Sequence, residues 1–393
     1  MTTIDLPTRE QLVRRASELS PLIKKHAAWA EENRRIHDES IEALADAGVF
    51  KLRVPKRYGG YEADTRTLVD VATELGRADA STSWTASVYW IPTWMACTFP
   101  DEVQDEVFST PDVRICGTLS PSAMAAPVDG GIVVNGKWSF ISGAHHAHWQ
   151  EIIAVLIAPD QQPVPVMALV PMSDLTIVDD WHTSGLKGTG SVSTVAQDLF
   201  VPSARVIPLP LVLQGQYASQ LNANSPIYRN ALLPVASASS VGTVVGVAQA
   251  AKEAFFERVG KRKITYTAYE NQAEAPITHF QAAEGTLKVD QIGFHAHRLT
   301  SLVDSKGEQG AEWKLEERAQ ARADMGAVVK LAKEAVDVFA TASGGSSIYS
   351  DVPIQRISRD IQAVNLHALM HPNTNNELYG RVLCGLEPNT LYI

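Results

Sequence analysis

GGIVVNGKWSFIS (130–142), EIIAVLIAP (151–159) and PVPVMALVP (163–171) are the stretches that decide how this chain folds. Each is a short run rich in β-branched and aromatic residues, bounded by Gly, Pro, Asn or Asp, as strands between turns are. All three lie between Val113 and Pro208. Within VDGGIVVNGKWSF, Asp129-Gly130-Gly131 and Asn135-Gly136 supply the positive φ that tight turns require, so a hairpin is predicted. The flanks have another texture. From Arg9 to about Arg35, Leu12, Ala16, Leu19, Leu22 and Ile23 recur near helical spacing among charges, which predicts an amphipathic helix. A second is predicted over Asp38–Ala47, ended by Gly48, and helical periodicity resumes from Thr65 to about Phe99 after the break at VPKRYGG (54–60). Beyond a loose segment at 209–231, Ala, Glu, Lys and Arg dominate to about Ala342 with few prolines, as in a helix bundle. The expected fold is α+β: an N-terminal helical domain (1–110), a middle β-barrel-like domain (111–210) and a C-terminal helix bundle (211–393).

Composition narrows the function classes. With 393 residues, 45% hydrophobic and 20% charged, the chain can bury a large core. Its net charge of -10 is spread without a basic stripe, which argues against nucleic acid as a partner. Cys97, Cys116 and Cys384 are far apart and odd in number, fitting a reducing cytoplasm rather than a disulfide framework. Charges stand where a signal peptide needs an apolar run, and no window is read as approaching a membrane span.

VPKRYGG, WHTSGLKGTGS (181–191) and DLFVPSARVI (198–207), in this order, resemble the acyl-CoA dehydrogenase superfamily over nearly the whole chain. STSWTASVYWIPTW (81–94), NGKWSFISGAHHAHW (135–149) and RDIQAVNLHALMHP (359–372) are similar to the flavin-dependent hydroxylases of phenols and steroid-derived phenols. The resemblance implies a β domain between two helical domains, a flavin between β domain and C-terminal bundle, and a homotetramer.

The residues have chemistry of their own. Gly185, Gly188 and Gly190 let backbone approach a ligand, and Thr189, Ser191 and Ser193 offer hydroxyls; by spacing alone this is a glycine-rich turn. The resemblance sets Gly188, Thr189 and Ser191 against the flavin. Ser142 and Gly143 follow the aromatic strand residues Trp138 and Phe140, and a hydroxyl or amide there suits a flavin ring nitrogen. His145, His146 and His148 lack a cysteine or clustered carboxylate to complete a metal shell, so no metal is expected; His145 is assigned to the substrate side. In the aromatic cluster of Trp84, Tyr89, Trp90 and Trp94, the resemblance puts Trp84 at the cofactor, with Tyr89 and Trp90 bordering the substrate.

In NLHALMHPNTNNELYGRVLCG no acidic residue stands where dehydrogenases place a glutamate base, and Glu377 is the nearest. A histidine, with a reference pKa near 6.5, suits a hydroxylase better. His367 is the expected catalytic residue, with His371 second and Ser142 beside them. Arg262, with Lys261 or Lys263, is matched to a flavin phosphate or, equally, to a solvated helix C-terminus. The arginine–glutamine–Phe-Gly pattern that grips the rest of FAD is absent after Arg262, which favours reduced FMN while leaving FADH2 open.

The resemblance therefore implies an oxygenase component that takes reduced flavin from a separate reductase and O2 as co-substrate. It would hydroxylate a small aromatic, phenolic substrate through a flavin hydroperoxide, in the cytoplasm, with no membrane partner. Oxidation at a nitrogen or sulfur atom by the same chemistry, an FAD-holding acyl-CoA dehydrogenase and a non-catalytic scaffold are the alternatives.

Overall fold

A computed structural model describes residues 6–158 and 162–393 of the chain. Thr8 opens α1 (Arg9–Glu18) with a capping box: its hydroxyl accepts from Gln11 N while the Gln11 side chain accepts from Thr8 N. The single helix expected over Arg9–Arg35 is two, because Pro21 near the start of α2 (Ser20–Asn33) cannot continue the hydrogen bonding of the turn before it. α3 (Asp38–Asp46) ends before Gly48, whose φ of 81° turns the chain as predicted. The periodic stretch 65–99 also divides, into α4 (Thr65–Ala78) and α5 (Ala80–Ala96). At the division Asp79 is extended, and its carboxylate accepts from Thr82 N at 2.8 Å to cap α5. α6 (Asp101–Val107) completes the N-terminal helices.

Eight strands follow: β1 (Ile115–Gly117), β2 (Ala123–Val128), β3 (Gly131–Ile141), β4 (Trp149–Leu156), β5 (Val164–Pro171), β6 (Thr176–Val178), β7 (Val192–Pro202) and β8 (Val206–Pro208). They form one mixed sheet in the order β6-β7-β3-β2-β4-β5-β8, with β1 added parallel to β4. β5 comes near β7 across the interior without pairing to it, so the sheet curls in a barrel-like way. The predicted hairpin is β2–β3, turning at Asp129-Gly130 with Gly130 at φ 78°. Asn135-Gly136 makes no turn. It lies inside β3 at a bulge against β7, where Asn135 exchanges hydrogen bonds with Asp198. Gly136 is required there because a Cβ would overlap Ala123 on β2.

The remaining helices are α7 (Leu209–Leu213), α8 (Leu232–Val259), α9 (Pro276–Gln309), α10 (Leu315–Ala342), α11 (Pro353–Asn365) and α12 (Pro372–Leu383). The expectation that no window approaches a membrane span is corrected by α8, which by length and composition could cross one; nearly all of it is buried in the bundle. α8 packs against α4 through glycines, since a Cβ on Gly246 would overlap Thr73 O and Gly76 Cα. Thr243 of α8 meets Ser83 and Ser87 of α5 at 2.8 and 3.0 Å, satisfying buried hydroxyls.

Two apolar cores result. One joins α5 and one face of the sheet, including Trp94, Ile115 and Trp149, to Val244 and Phe339 of the bundle. The other fills the space between the first helices and the opposite sheet face, with Ile41, Leu68, Trp138 and Ile152. Three structural layers thus meet around α5. Gly246→Val is expected to force α4 and α8 apart and destabilise the protein by about 2 kcal/mol or more, the scale of overpacking; a thermal midpoint equal to wild type would contradict this close contact.

Candidate active site

Trp84 on α5 donates its Nε1–H to Ser142 Oγ at 3.2 Å. Ser142 Oγ lies 2.7 Å from Ser191 Oγ, Ser191 Oγ lies 2.7 Å from Thr189 Oγ1, and Thr189 Oγ1 donates to Leu186 O at 2.8 Å. The last bond fixes all the others. A carbonyl cannot donate, so the Thr189 proton is used on Leu186, the Ser191 proton on Thr189 and the Ser142 proton on Ser191. The hydroxyl chain therefore runs one way, and what it offers a ligand at Ser142 is a lone pair.

His367 completes the group. Its ring stands edge-to-face with Trp84, centroids 5.2 Å apart. It lies in a turn just past α11, with its N–H on Val364 O at 3.0 Å. Solvent reaches the ring, yet it sits deep enough in a recess that desolvation pushes its pKa down to about 4. His367 is therefore neutral near pH 7, with a nitrogen free to take a proton. No carboxylate occurs in residues 366–371, and Glu377 is exposed on α12 and bonded to Asn389.

The loop carrying Thr189 is held from the bundle side. Asp360 of α11 accepts from Leu186 N at 2.7 Å, Arg359 donates to Ser184 O at 2.9 Å, and a Cβ on Gly185 would overlap Arg359 O. Gly188 packs on Ser81 and Ala30, which requires a small residue there. Burial, with the nearby Asp79 carboxylate adding to it, raises the Asp360 pKa to about 7, against opposition from Arg356 and Arg359. Arg356 also lies 3.9 Å from Asp79, the cap of α5. Asp79, Arg356 and Asp360 were not singled out in the sequence. Their signal was slight, an acid between two helical runs and an acid within RDIQAV, and their partnership spans 281 positions.

Other predicted residues have different places. Gly143 adopts φ 74°, and its N–H bonds Thr189 O at 2.9 Å, so it joins the site through backbone. Tyr89 is wholly buried behind it and donates to Gly143 O at 2.6 Å. Trp90 is equally buried and donates to Val49 O, away from the recess. Neither ring borders open space. On α5 only Val88 and Ile91 are not buried, one and two turns along the stripe that Trp84 begins.

His145 is exposed beside Gly190, His146 contacts Ile36 O, and the His148 ring accepts from Arg114 N, so the three histidines diverge. His371 precedes α12, its carbonyl accepting from Thr374 and Asn375; its Nδ1 is buried without a partner among the described residues. Arg262 donates to Ser343 O at the C-terminal end of α10, so within one chain it serves a helix terminus, and not that of the helix preceding it. His26, His37 and Glu39 bring three donor atoms within 4.8 Å. The two rings are stacked 3.8 Å apart and nearly parallel, so their in-plane lone pairs do not converge on one ion. A separate recess of about 260 Å³, lined by Lys56, Glu62, Asp64, Asn230, Asp304 and Glu308 among others, shares no residue with the Trp84 group.

Ser142's open lone pair, the flat Trp84 face and a neutral histidine fit a reduced flavin. Reduced flavin carries N–H at the central-ring nitrogen that is only an acceptor in the oxidised form. The comparisons point the same way. The acyl-CoA dehydrogenase N-terminal domain model matches residues 10–108 and the C-terminal domain model residues 238–372. The chain belongs to the family of flavin-dependent monooxygenase oxygenase components built on the acyl-CoA dehydrogenase fold. It is 32% identical to the oxygenase component of an FADH2-dependent resorcinol hydroxylase of Rhizobium sp. (strain MTP-10005), over 97% of this chain and 96% of that one. It is 31% identical to the oxygenase subunit HsaA of a flavin-dependent monooxygenase of Rhodococcus jostii (strain RHA1), over 95% and 98%. XiaF from Streptomyces sp., solved with FADH2 and glycerol, superposes with a TM-score of 0.92 at 30% identity, covering 97% of each chain.

Asp360 gives this junction a pH signature. Its folded pKa of about 7 lies above the ordinary 3.8, so its protonated form favours the folded state. That contribution is complete below about pH 4 and lost as pH rises towards 7. Asp360→Asn, which keeps an acceptor for Leu186, should flatten the fall in thermal midpoint over this window. Asp360→Ala, leaving Leu186 N unpaired, should lower the midpoint throughout by about 1–3 kcal/mol of stability. Identical pH profiles for wild type and both variants would show that Asp360 does not hold the loop.

Proposed function

We propose that this chain is an oxygenase that receives reduced flavin from a separate reductase and hydroxylates a small aromatic, phenolic substrate with O2. The observation that carries it is the one-way hydroxyl chain ending at Ser142, with neutral His367 across Trp84. Bound reduced flavin supplies activation of O2 and transfer of one oxygen atom. The chain's own residues do the rest. Ser142 would accept from a flavin N–H, Gly143 and the 185–191 loop would offer backbone to the ring, and Trp84 would close one side. His367 takes the phenol proton at a ring nitrogen, raising electron density on the carbon attacked. Val88 and Ile91, the two residues of α5 that are not buried, would present an apolar wall there. FADH2 is bound in XiaF and FMN in a dibenzothiophene monooxygenase of the same fold, and this reading admits either. Buried Cys97 and Cys116, unpaired, suit a reducing cytoplasm.

The functional unit in this reading is a homotetramer. Ile277, Phe280, Leu287 and Phe294 stand exposed along one face of α9, the last three at seven-residue spacing, as on a helix that packs lengthwise on another. Arg262, remote from its own Trp84 group, would then meet the flavin phosphate of another subunit. Leu287→Glu with Phe294→Glu should yield smaller species in analytical ultracentrifugation with lower flavin affinity. A double variant that stays tetrameric removes this face from the assembly.

The chemistry is tested with chemically reduced flavin, O2 and a panel of phenols, without reductase or nicotinamide cofactor. Hydroxylated product should form, and His367→Ala should slow it by roughly a hundredfold or more with little change in flavin affinity. Because His367 is neutral down to about pH 4, kcat/KM should hold through pH 6 rather than halve near 6.5. Undiminished coupled hydroxylation by His367→Ala would remove it from the mechanism.

A further inference from the structure

Glu151 carries a buried carboxyl that the site described above does not use. It lies on β4, nearly the whole residue is buried, and among the described residues nothing hydrogen-bonds its Oε1. A buried carboxyl left unmatched costs stability, so native chains rarely keep one without use. Its strand neighbours in register are Gly117 of β1 and Leu169 of β5. A Cβ on Gly117 would come 2.6 Å from Glu151 Oε2, so the carboxyl passes over the one position where β1 has no side chain.

This place connects to the active site from two sides. β1 packs against α5, whose half-exposed Val88 and Ile91 continue the stripe from Trp84 and, with Leu119 just beyond Gly117, border the same apolar core. From the bundle side, Tyr392 donates to Leu119 O at 2.8 Å, just beyond Gly117. Buried Arg322 bonds both Tyr392 O and Leu369 O, two residues past His367. The strand pair that carries Gly117 and Glu151 thus packs on the helix that carries Trp84, Val88 and Ile91, with aliphatic side chains of one core between them.

We propose that Glu151 is the substrate-recognition group at the far end of the recess, selecting aromatics that carry a second hydroxyl away from the carbon attacked. The proposal rests on the oxygenase reading above. Burial holds the carboxyl well above the usual carboxylate range and so favours its protonated form, which can both donate and accept. A ring hydroxyl has the same two capacities and satisfies both oxygens. A substrate carboxylate accepts only: it would leave Oε1 unmatched and bury an anion beside an acid. An unsubstituted ring leaves the carboxyl as it stands.

The test uses the full-length protein with reduced FAD under anaerobic conditions, and reads binding of resorcinol and of phenol by tryptophan fluorescence. Glu151→Leu is apolar and of similar volume, so it should fold, and Glu151→Gln keeps a neutral donor and acceptor. Glu151→Leu should weaken resorcinol about tenfold or more and leave phenol within about twofold, while Glu151→Gln restores most of the resorcinol affinity. In turnover the loss should appear in KM more than in kcat. Wild type that binds resorcinol no tighter than phenol, or Glu151→Leu that shifts both ligands alike, overturns the inference. Failure of wild type to hydroxylate any aromatic with reduced flavin and O2 overturns the oxygenase reading instead, in a separate measurement.

Discussion

Leu186 sits in the left-handed region at φ 50°, where a β-carbon is crowded and the cost is of order 1–2 kcal/mol. Four bonds hold it there. Its N–H is taken by the buried Asp360 carboxyl, and its carbonyl receives Trp181 Nε1 at 3.1 Å, Thr189 N at 3.1 Å and Thr189 Oγ1 at 2.8 Å. The Thr189 hydroxyl bond sets the direction of every proton in the hydroxyl chain back to Trp84. Were Leu186 to relax into an ordinary turn, Thr189 could donate elsewhere, the chain could reverse, and Ser142 would offer a proton where reduced flavin also offers one. The polarity of the site is therefore decided by one strained peptide on the loop, held from another part of the fold.

The electrostatics follow from where that anchor lies. Asp79 caps α5 from the N-terminal helices, Asp360 belongs to the bundle, and Leu186 belongs to the sheet region, so one buried cluster joins all three. Two acids share the cluster with Arg356, and burial pushes both carboxyls towards the neutral form. Partial desolvation likewise lowers the pKa of His367, which still keeps a side open to solvent. The packing that joins the three parts therefore also sets the protonation states of the groups at the site.

Texture made the fold legible: β-rich runs between helical flanks appear as eight strands between Ile115 and Pro208, and helices elsewhere. Local breaks were harder. Pro21 and Asp79 each divide a periodic stretch that seemed continuous, because amphipathic spacing persists across a cap. Asn135-Gly136 has the composition of a turn, yet cross-strand contacts with Ala123 and Asp198 make it a bulge. At the site, resemblance supplied Trp84, Ser142, Thr189, Ser191 and His367, which the structure gathers into one bonded or stacked group. Tyr89 and Trp90 show the limit of neighbourhood in sequence: five and six positions from Trp84, they are buried and bonded to Gly143 O and Val49 O, while Val88 and Ile91 are the two residues of α5 left partly open. The Asp360–Leu186 bond joins positions 174 apart in the chain, beyond the reach of any periodicity.

Glu151 was hidden for a related reason. In EIIAVLIAP a leading glutamate looks like the solvated start of a strand, and only the parallel register with β1 reveals that Gly117 clears a path for its carboxyl. The glycine and the acid explain each other: any side chain at 117 would collide with Glu151, and a smaller residue at 151 would leave an apolar gap over the glycine. With His367 taking the phenol proton at one end and, in the proposal above, Glu151 holding a second hydroxyl at the other, the substrate would have a polar partner beyond each end of the Val88–Ile91 stripe. A flat ring lying along Val88 and Ile91 would then be oriented by hydrogen bonds at its two ends, and the distance between its polar groups, rather than the bulk of the ring, would determine which carbon faces the oxygen donor.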